Sequence, residues 1–310
     1  MHINCFVLLG FWCYNLRRIT RDRVIYCFSK DIRPVVEVDP GETIVLETLD
    51  AASGRVKKPT DVYAYARRKR LDDVNPSTGP VAVRGAEPGD TLTVEILNIK
   101  MAPRGYRVLM ENAGVITQEM ATPRALIVKI EGGMAIYDER IKLPIRPMIG
   151  TIGVAPAGEA ISTLYPGPHG GNMDNNDVTV GAKVYLPVYV PGALLAIGDV
   201  HASMGDGELT GGGIDIDGEV TVKVDLIKGR MWPRPWLETK DSWITCANAP
   251  TLEDAIAIAT RDMVNILTEK LEISKEYAFM LVGSHGDAKI GQAAKYKGLD
   301  ATVRLVFPKI

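Results

Sequence analysis

The sequence predicts a mainly β protein, a sandwich or barrel, followed by a smaller α+β part at its C-terminal end. Two observations carry this reading. From Val35 to Leu226, short runs rich in Val, Ile and Thr are repeatedly cut by Gly and Pro, which is the text of successive strands and turns. One segment only, beginning at Thr251, has a strong helical period. Many strands with few helices pack as sheet on sheet or close into a barrel.

The elements follow in chain order. Residues 35–38 and 43–48 read as strands joined by the turn Asp39-Pro40-Gly41-Glu42. Similar text, Glu87-Pro88-Gly89-Asp90, stands 48 residues later, before a strand over 92–97. A Pro-Gly turn is a common entry to a strand, and two copies make no solenoid. Further strands are expected at 81–84, 126–130, 178–180, 183–190 and 193–197. Asp217-Gly218 reads as a hairpin turn between 213–216 and 219–226, with Val220, Val222 and Val224 at period two. Residues 52–80 are polar, carry a basic run at 67–70, and read as a long surface loop.

Thr251 suits an N-cap, with Asp254 three residues on. Ile256, Met263, Ile266, Leu267 and Leu271 then form an apolar stripe. Residues 277–282 and 301–307 read as strands. The expected division is therefore an N-terminal extension over 1–20, a mainly β region over 21–230 and an α+β part over 231–310.

Composition excludes several classes of function. The formal net charge is −2, which disfavours a whole-protein electrostatic role on nucleic acid or an anionic membrane. Apolar residues at 46% and charged residues at 24% are those of an ordinary globule. Residues 3–14 are apolar, but fall short of the roughly 20 needed to span a bilayer. Arg17 and Arg18 follow that run, whereas a signal peptide carries its positive charges in front. A cytoplasmic location, with no nucleic-acid or membrane partner, is the expectation. Cys5, Cys13, Cys27 and Cys246 form no CxxC pair, and no disulfide framework is expected. Cys246 stands in apolar text and reads as a packed thiol.

The chemistry concentrates between residues 166 and 208. Asp199 and His201 are two apart, so on an extended strand both point to one face. A carboxylate and an imidazole so placed make half of a zinc site. Asp206 and Glu208 follow on a glycine-hinged loop. Upstream, His169 and Asp174 offer further ligands or a proton carrier. Asp174, Asn175 and Asp177 also present the hard oxygens that calcium prefers, without EF-hand spacing. Nucleophile-elbow, Walker A and HExxH signatures are absent from the sequence. The adjacency of Ser284 and His285 does not by itself build a dyad.

Residues 79–90, 149–156, 166–174 and 192–208 together resemble the acetamidase/formamidase family, the likeness running from about Val24 to the C-terminus. The third and fourth segments carry most of its specificity. The resemblance implies a β-sandwich similar to a jelly roll and hydrolysis of short aliphatic amides to a carboxylate and ammonia. It also implies an associated zinc or calcium ion and a homodimer or larger homo-oligomer. His169, Asn172 and Asp174 match the first of these two motifs. Asp199, His201, Asp206 and Glu208 match the second, and Asp50 matches an acidic position nearer the N-terminus. On this likeness Asp199 and His201 are the expected core metal ligands, with Asp50, Asp174 or His169 completing the set. Glu208 is the expected general base, and His169 an alternative proton donor. Asn172 is expected to bind substrate, and Met204 or Trp243 to line a small pocket. Two other readings share these residues: a non-catalytic, metal-stabilised binding module, and a hydrolase of another linear or cyclic amide or carbamate.

Overall fold

The computed structural model describes residues 16–68, 72–111, 113–116, 119–120, 122–293 and 298–310. The apolar run over 3–14, His2, Cys5 and Cys13 lie outside the described residues, as do Lys69 and Arg70 of the basic run. The protein is mainly β. A nine-stranded sheet runs in the order Arg17–Ile19, Thr43–Thr48, Gly218–Ile227, Thr91–Met101, Lys183–Pro187, Trp236–Glu238, Ser242–Ala249, Ala301–Pro308 and Asp287–Ile290. A seven-stranded sheet runs through Pro166–Gly167, Gly170–Asn172, Met148–Gly153, Leu195–His201, Ser77–Val83 and Val24–Ile25. Its seventh strand, Val36–Val38, pairs parallel to Ser77–Val83. A four-stranded sheet holds Arg104–Leu109, Arg124–Glu131, Met134–Ile136 and Lys142–Pro144.

The two large sheets face one another across a single apolar core. Ile44, Leu46, Val220 and Val222 from the first meet Val81, Ile149, Ile152 and Leu195 from the second, the layered burial of a sandwich. The two Pro-Gly turns feed strands that flank the same partner, Gly218–Ile227. In both turns the glycine has positive φ, at 86° for Gly41 and 97° for Gly89, as the third position of a type II turn requires. In both, the fourth residue's carboxylate accepts from the first residue's N–H: Glu42 from Asp39 at 3.0 Å, and Asp90 from Glu87 at 2.8 Å.

Several expectations are corrected. Residues 52–80 are not all loop: they hold the helix Asp61–Ala66 and the start of Ser77–Val83, a wholly buried strand. Small residues and Pro80 hide that strand from a hydrophobicity pattern. Residues 178–180 form no strand: they are a bend and turn between two closures, Val178 N–H donating to the Asn175 carbonyl and Ala182 N–H to the Thr179 carbonyl. Asp217-Gly218 is no hairpin turn, because Gly218 already pairs within the nine-stranded sheet. Residues 277–282 lie in the helix Lys275–His285. Ser274 caps this helix by accepting from Tyr277 N–H. Only Ala278 and Val282 are buried in it, one turn apart, while Tyr277, Phe279 and Met280 stay exposed.

The helix expected after Thr251 is present as Leu252–Leu271, with Thr251 accepting from Asp254 N–H. Its buried face is Ala255, Ala259, Met263, Ile266 and Leu267, and it packs on the C-terminal strands. Ile256 is exposed. Those strands extend the nine-stranded sheet, which ties residues 236–308 to the sandwich through main-chain bonds.

Candidate active site

Asp199 and His201 share the strand Leu195–His201, as their spacing predicts. The strand is not regular there: Asp199 has φ 53°, and its register with Met148–Gly153 skips the pair Gly150 and Asp199. His201 Nε2 lies 3.2 Å from Asp199 Oδ1 and 3.1 Å from Asp215 Oδ1. Asp174 joins them: one ligand atom from each of Asp174, Asp199 and His201 falls within 4.8 Å of the others, and all three residues are buried.

Glycine at position 150 makes this convergence possible. A Cβ there would stand 2.7 Å from Asp174 Oδ1 and 2.8 Å from Asp199 Oδ2, closer than any carbon and oxygen can pack. The backbone around the site is unusual as well. Asn75, Asp174, Asp199 and Glu208 all have positive φ, between 43° and 53°. Such conformations are uncommon outside glycine and collect at functional sites.

The polar groups are tied into one network. Asn75 Nδ2 donates to Asp199 Oδ2 at 3.0 Å and to Asn172 Oδ1 at 3.1 Å. Thr151 Oγ1 donates to Asn172 Oδ1 at 2.6 Å, and Gln292 Nε2 donates to Asp174 Oδ2. Asp174 Oδ1 is buried with no partner, an arrangement that is costly unless a ligand satisfies it. Burial would push the His201 imidazolium down, but Asp199 and Asp215 override it and hold the ring well above the usual histidine range. Burial, then the Asp199 charge, pushes Asp174 up to about 7. Burial and the Asp174 charge raise Glu208 well above the usual carboxylate range. Crowding several acids with one imidazole away from water is unfavourable by itself, and added positive charge relieves it.

These residues open onto a cavity of about 160 Å³, whose wall includes Asn75, Asn172, Asp199, His201, Glu208, Asp215 and Gln292. Glu208 is carried there by a loop that Arg304 anchors. The buried Arg304 guanidinium donates to Asp206 at 2.8 Å and to Asp177 at 2.6 Å, so Asp206 works as a clamp.

Other expected residues stand apart. Asp50 lies outside the Asp174, Asp199 and His201 group. Its carboxylate accepts from Ala52 N–H at 2.9 Å and Gly54 N–H at 3.0 Å, and approaches Tyr106 Oη at 3.4 Å. Burial raises it to about 6, and it faces a neighbouring cavity of about 350 Å³. His169 is buried edge-on against Phe28, ring centroids 5.0 Å apart, with neither ring nitrogen partnered. Burial pushes its pKa down to about 4, and it is not on the wall of the 160 Å³ cavity. Met204 is buried off that wall, its carbonyl accepting from Arg146. Trp243 packs in the C-terminal core beside the long helix. Cys246 is a buried thiol that accepts from Asn175 Nδ2.

Sequence reasoning missed Asp215, Asn75 and Gln292. Asp215 left a signal, as an acid set between Ile214 and Ile216, both of which are core residues. Asn75 reads as an ordinary turn residue before Pro76, and Gln292 carries no local signal at all.

Comparisons with known proteins place the chain among amide-hydrolase relatives. The family model described as the Acetamidase/Formamidase family matches residues 20–162 and 157–259. A formamidase of Methylophilus methylotrophus is 28% identical over 255 residues, 64% of this chain and 62% of that protein. The chain spans somewhat under two thirds of the length of the curated relatives it matches. The crystal structure of an acetamidase from Bacillus halodurans superposes with a TM-score of 0.88 at 38% identity, covering 94% of this chain and 97% of that one. A gamma lactamase from Delftia acidovorans superposes less closely, with a TM-score of 0.66 at 26% identity, covering 93% of this chain and 89% of that one. With the family model matching well over half of its residues, the chain belongs to the acetamidase/formamidase family.

Proposed function

We propose that this protein hydrolyses the C–N bond of short amides, giving a carboxylate and ammonia. The observation that carries the reading is one wall of one cavity, on which Asp199, His201 and Glu208 meet beside the buried Asp174. Glu208 is the general base. It takes a proton from water as the water oxygen bonds to the carbonyl carbon. The C–N bond then breaks, its electron pair stays on nitrogen, and nitrogen receives the proton that Glu208 holds. Asn172 orients the amide, its own carboxamide being fixed by Asn75 and Thr151. With His169 off the cavity wall, one carboxyl group serves both proton transfers.

Asp174, Asp199 and His201 would hold a divalent ion, and the unpartnered Asp174 Oδ1 supports that role. An imidazole among the donors favours zinc over calcium, which prefers an all-oxygen shell. When bound, such an ion supplies positive charge that acidifies water and polarises a carbonyl. Homo-oligomerisation and a cytoplasmic setting belong to the same proposal, resting on the family likeness and the sequence. Among the described residues no helix is long and apolar enough to cross a membrane. Sedimentation at two protein concentrations tests the oligomer.

The likeness to a gamma lactamase favours one second reading, in which the same residues open a cyclic amide. Ammonia release from linear amides, measured beside ring opening of a lactam, separates the two. Linear amidase activity that falls on chelation and returns with zinc supports the proposal; activity indifferent to complete metal removal overturns its metal part. Glu208→Gln is expected to lower kcat by about 10²- to 10⁴-fold with the fold retained. Turnover equal to the unaltered protein would reject Glu208 as the base.

A further inference from the structure

The cavity beside the acid and imidazole groups is larger than acetamide requires, and among the described residues the rest of its wall is mostly apolar. Its volume is about 160 Å³. For comparison, an apolar cavity of about 150 Å³ in another protein holds a benzene ring. Acetamide has a single methyl group beyond its amide plane, so it would leave much of this space to water.

The lining divides by origin. Most of the polar residues come from the seven-stranded sheet and the loops beside it, while Gln292 follows the edge strand Asp287–Ile290 of the nine-stranded sheet. Tyr65, Val108 and Met110 come instead from the helix Asp61–Ala66 and the end of the strand Arg104–Leu109, where they pack around Val62 and Tyr106. Val74, Leu164 and Leu299 add further apolar surface from three separate loops. An amide group held at the polar residues would therefore direct its acyl substituent along hydrophobic and aromatic side chains. Water left against such a wall is displaced favourably by hydrocarbon.

We propose that the preferred substrates are neutral primary amides with a branched or cyclic acyl group of about four to six carbon atoms, the size the cavity comparison sets. Formamide and acetamide fill too little of the site to be the best substrates. This rests on the amidase reading above and adds the substrate class to it. Each methylene placed in a hydrophobic pocket changes kcat/KM by about tenfold or more, so the preference is measurable.

The experiment is a kcat/KM series on the full chain, by ammonia release, over formamide, acetamide, propionamide, isobutyramide, pivalamide, cyclopentanecarboxamide and benzamide. The expected result is a rise of at least about tenfold from acetamide to isobutyramide or cyclopentanecarboxamide. Val108→Phe and Met110→Phe, each narrowing the apolar part, are expected to lower the isobutyramide-to-acetamide ratio by about tenfold. Circular dichroism confirms that each variant is folded, and the series on the unaltered chain decides the matter if either is not. Best turnover of formamide or acetamide would overturn this proposal and leave the amidase reading standing. Turnover of no amide at all would overturn both.

Discussion

Gly150 shows how one missing side chain builds a site. Two carboxylates, Asp174 and Asp199, come together over its Cα, at distances where a methyl group would touch both. Gly150→Ala must therefore push at least one carboxylate away from His201. The expected outcome is a loss of about 1–3 kcal/mol of stability, the usual cost of overpacking, with a much larger fall in the proposed amidase activity. Urea denaturation beside ammonia release checks it, and full activity in the Gly150→Ala variant would show that these two acids need not converge. Glu208 is positioned by similar economy. Its loop is held by the Arg304 contacts to Asp206 and Asp177, a planar donor fork suited to bridging two carboxylates.

Among the elements, the helix Lys275–His285 is the instructive failure of pattern reading. Tyr277-Ala278-Phe279-Met280-Leu281-Val282 is a continuous apolar run, which periodicity alone cannot assign to strand or helix. Ser274 decides it by capping the first turn, and Ala278 and Val282 bury one narrow stripe. Ser274→Ala is expected to cost about 1 kcal/mol, read as a lower urea midpoint with an unchanged slope. The strand Leu195–His201 makes the opposite point. Its i, i+2 spacing of Asp199 and His201 correctly implied a shared direction, although the positive φ at Asp199 breaks the regular strand geometry on which that argument stood.

Across the molecule, the buried His169 links folding to pH. Its pKa lies near 4 in the folded protein, against about 6.5 in an unfolded chain. The unfolded state thus binds the proton more tightly, so this ring's contribution to folding stability is fully present above about pH 6.5 and is lost as pH falls towards 4. The decline attributable to this ring is on the order of 3 kcal/mol. Chemical denaturation at pH 7 and pH 4.5 should show a shallower acid loss in His169→Leu than in the unaltered protein. Equal losses in the two would assign acid sensitivity elsewhere.

The mainly β class, the two Pro-Gly strand entries, the long C-terminal helix and the dense text around Asp199 to Glu208 were all legible in the chain. They rest on local rules: turn chemistry, capping, and periods of two or 3.6 residues. What the tertiary structure alone decided is which distant residues meet. Asn75, Asp215 and Gln292 join the site because crossover strands bring them there, and Asp50 and His169 are held off its wall by contacts made elsewhere. Such meetings depend on sheet order and register, set by burying one core between two sheets, and that is a property of the whole chain that no short stretch of sequence contains.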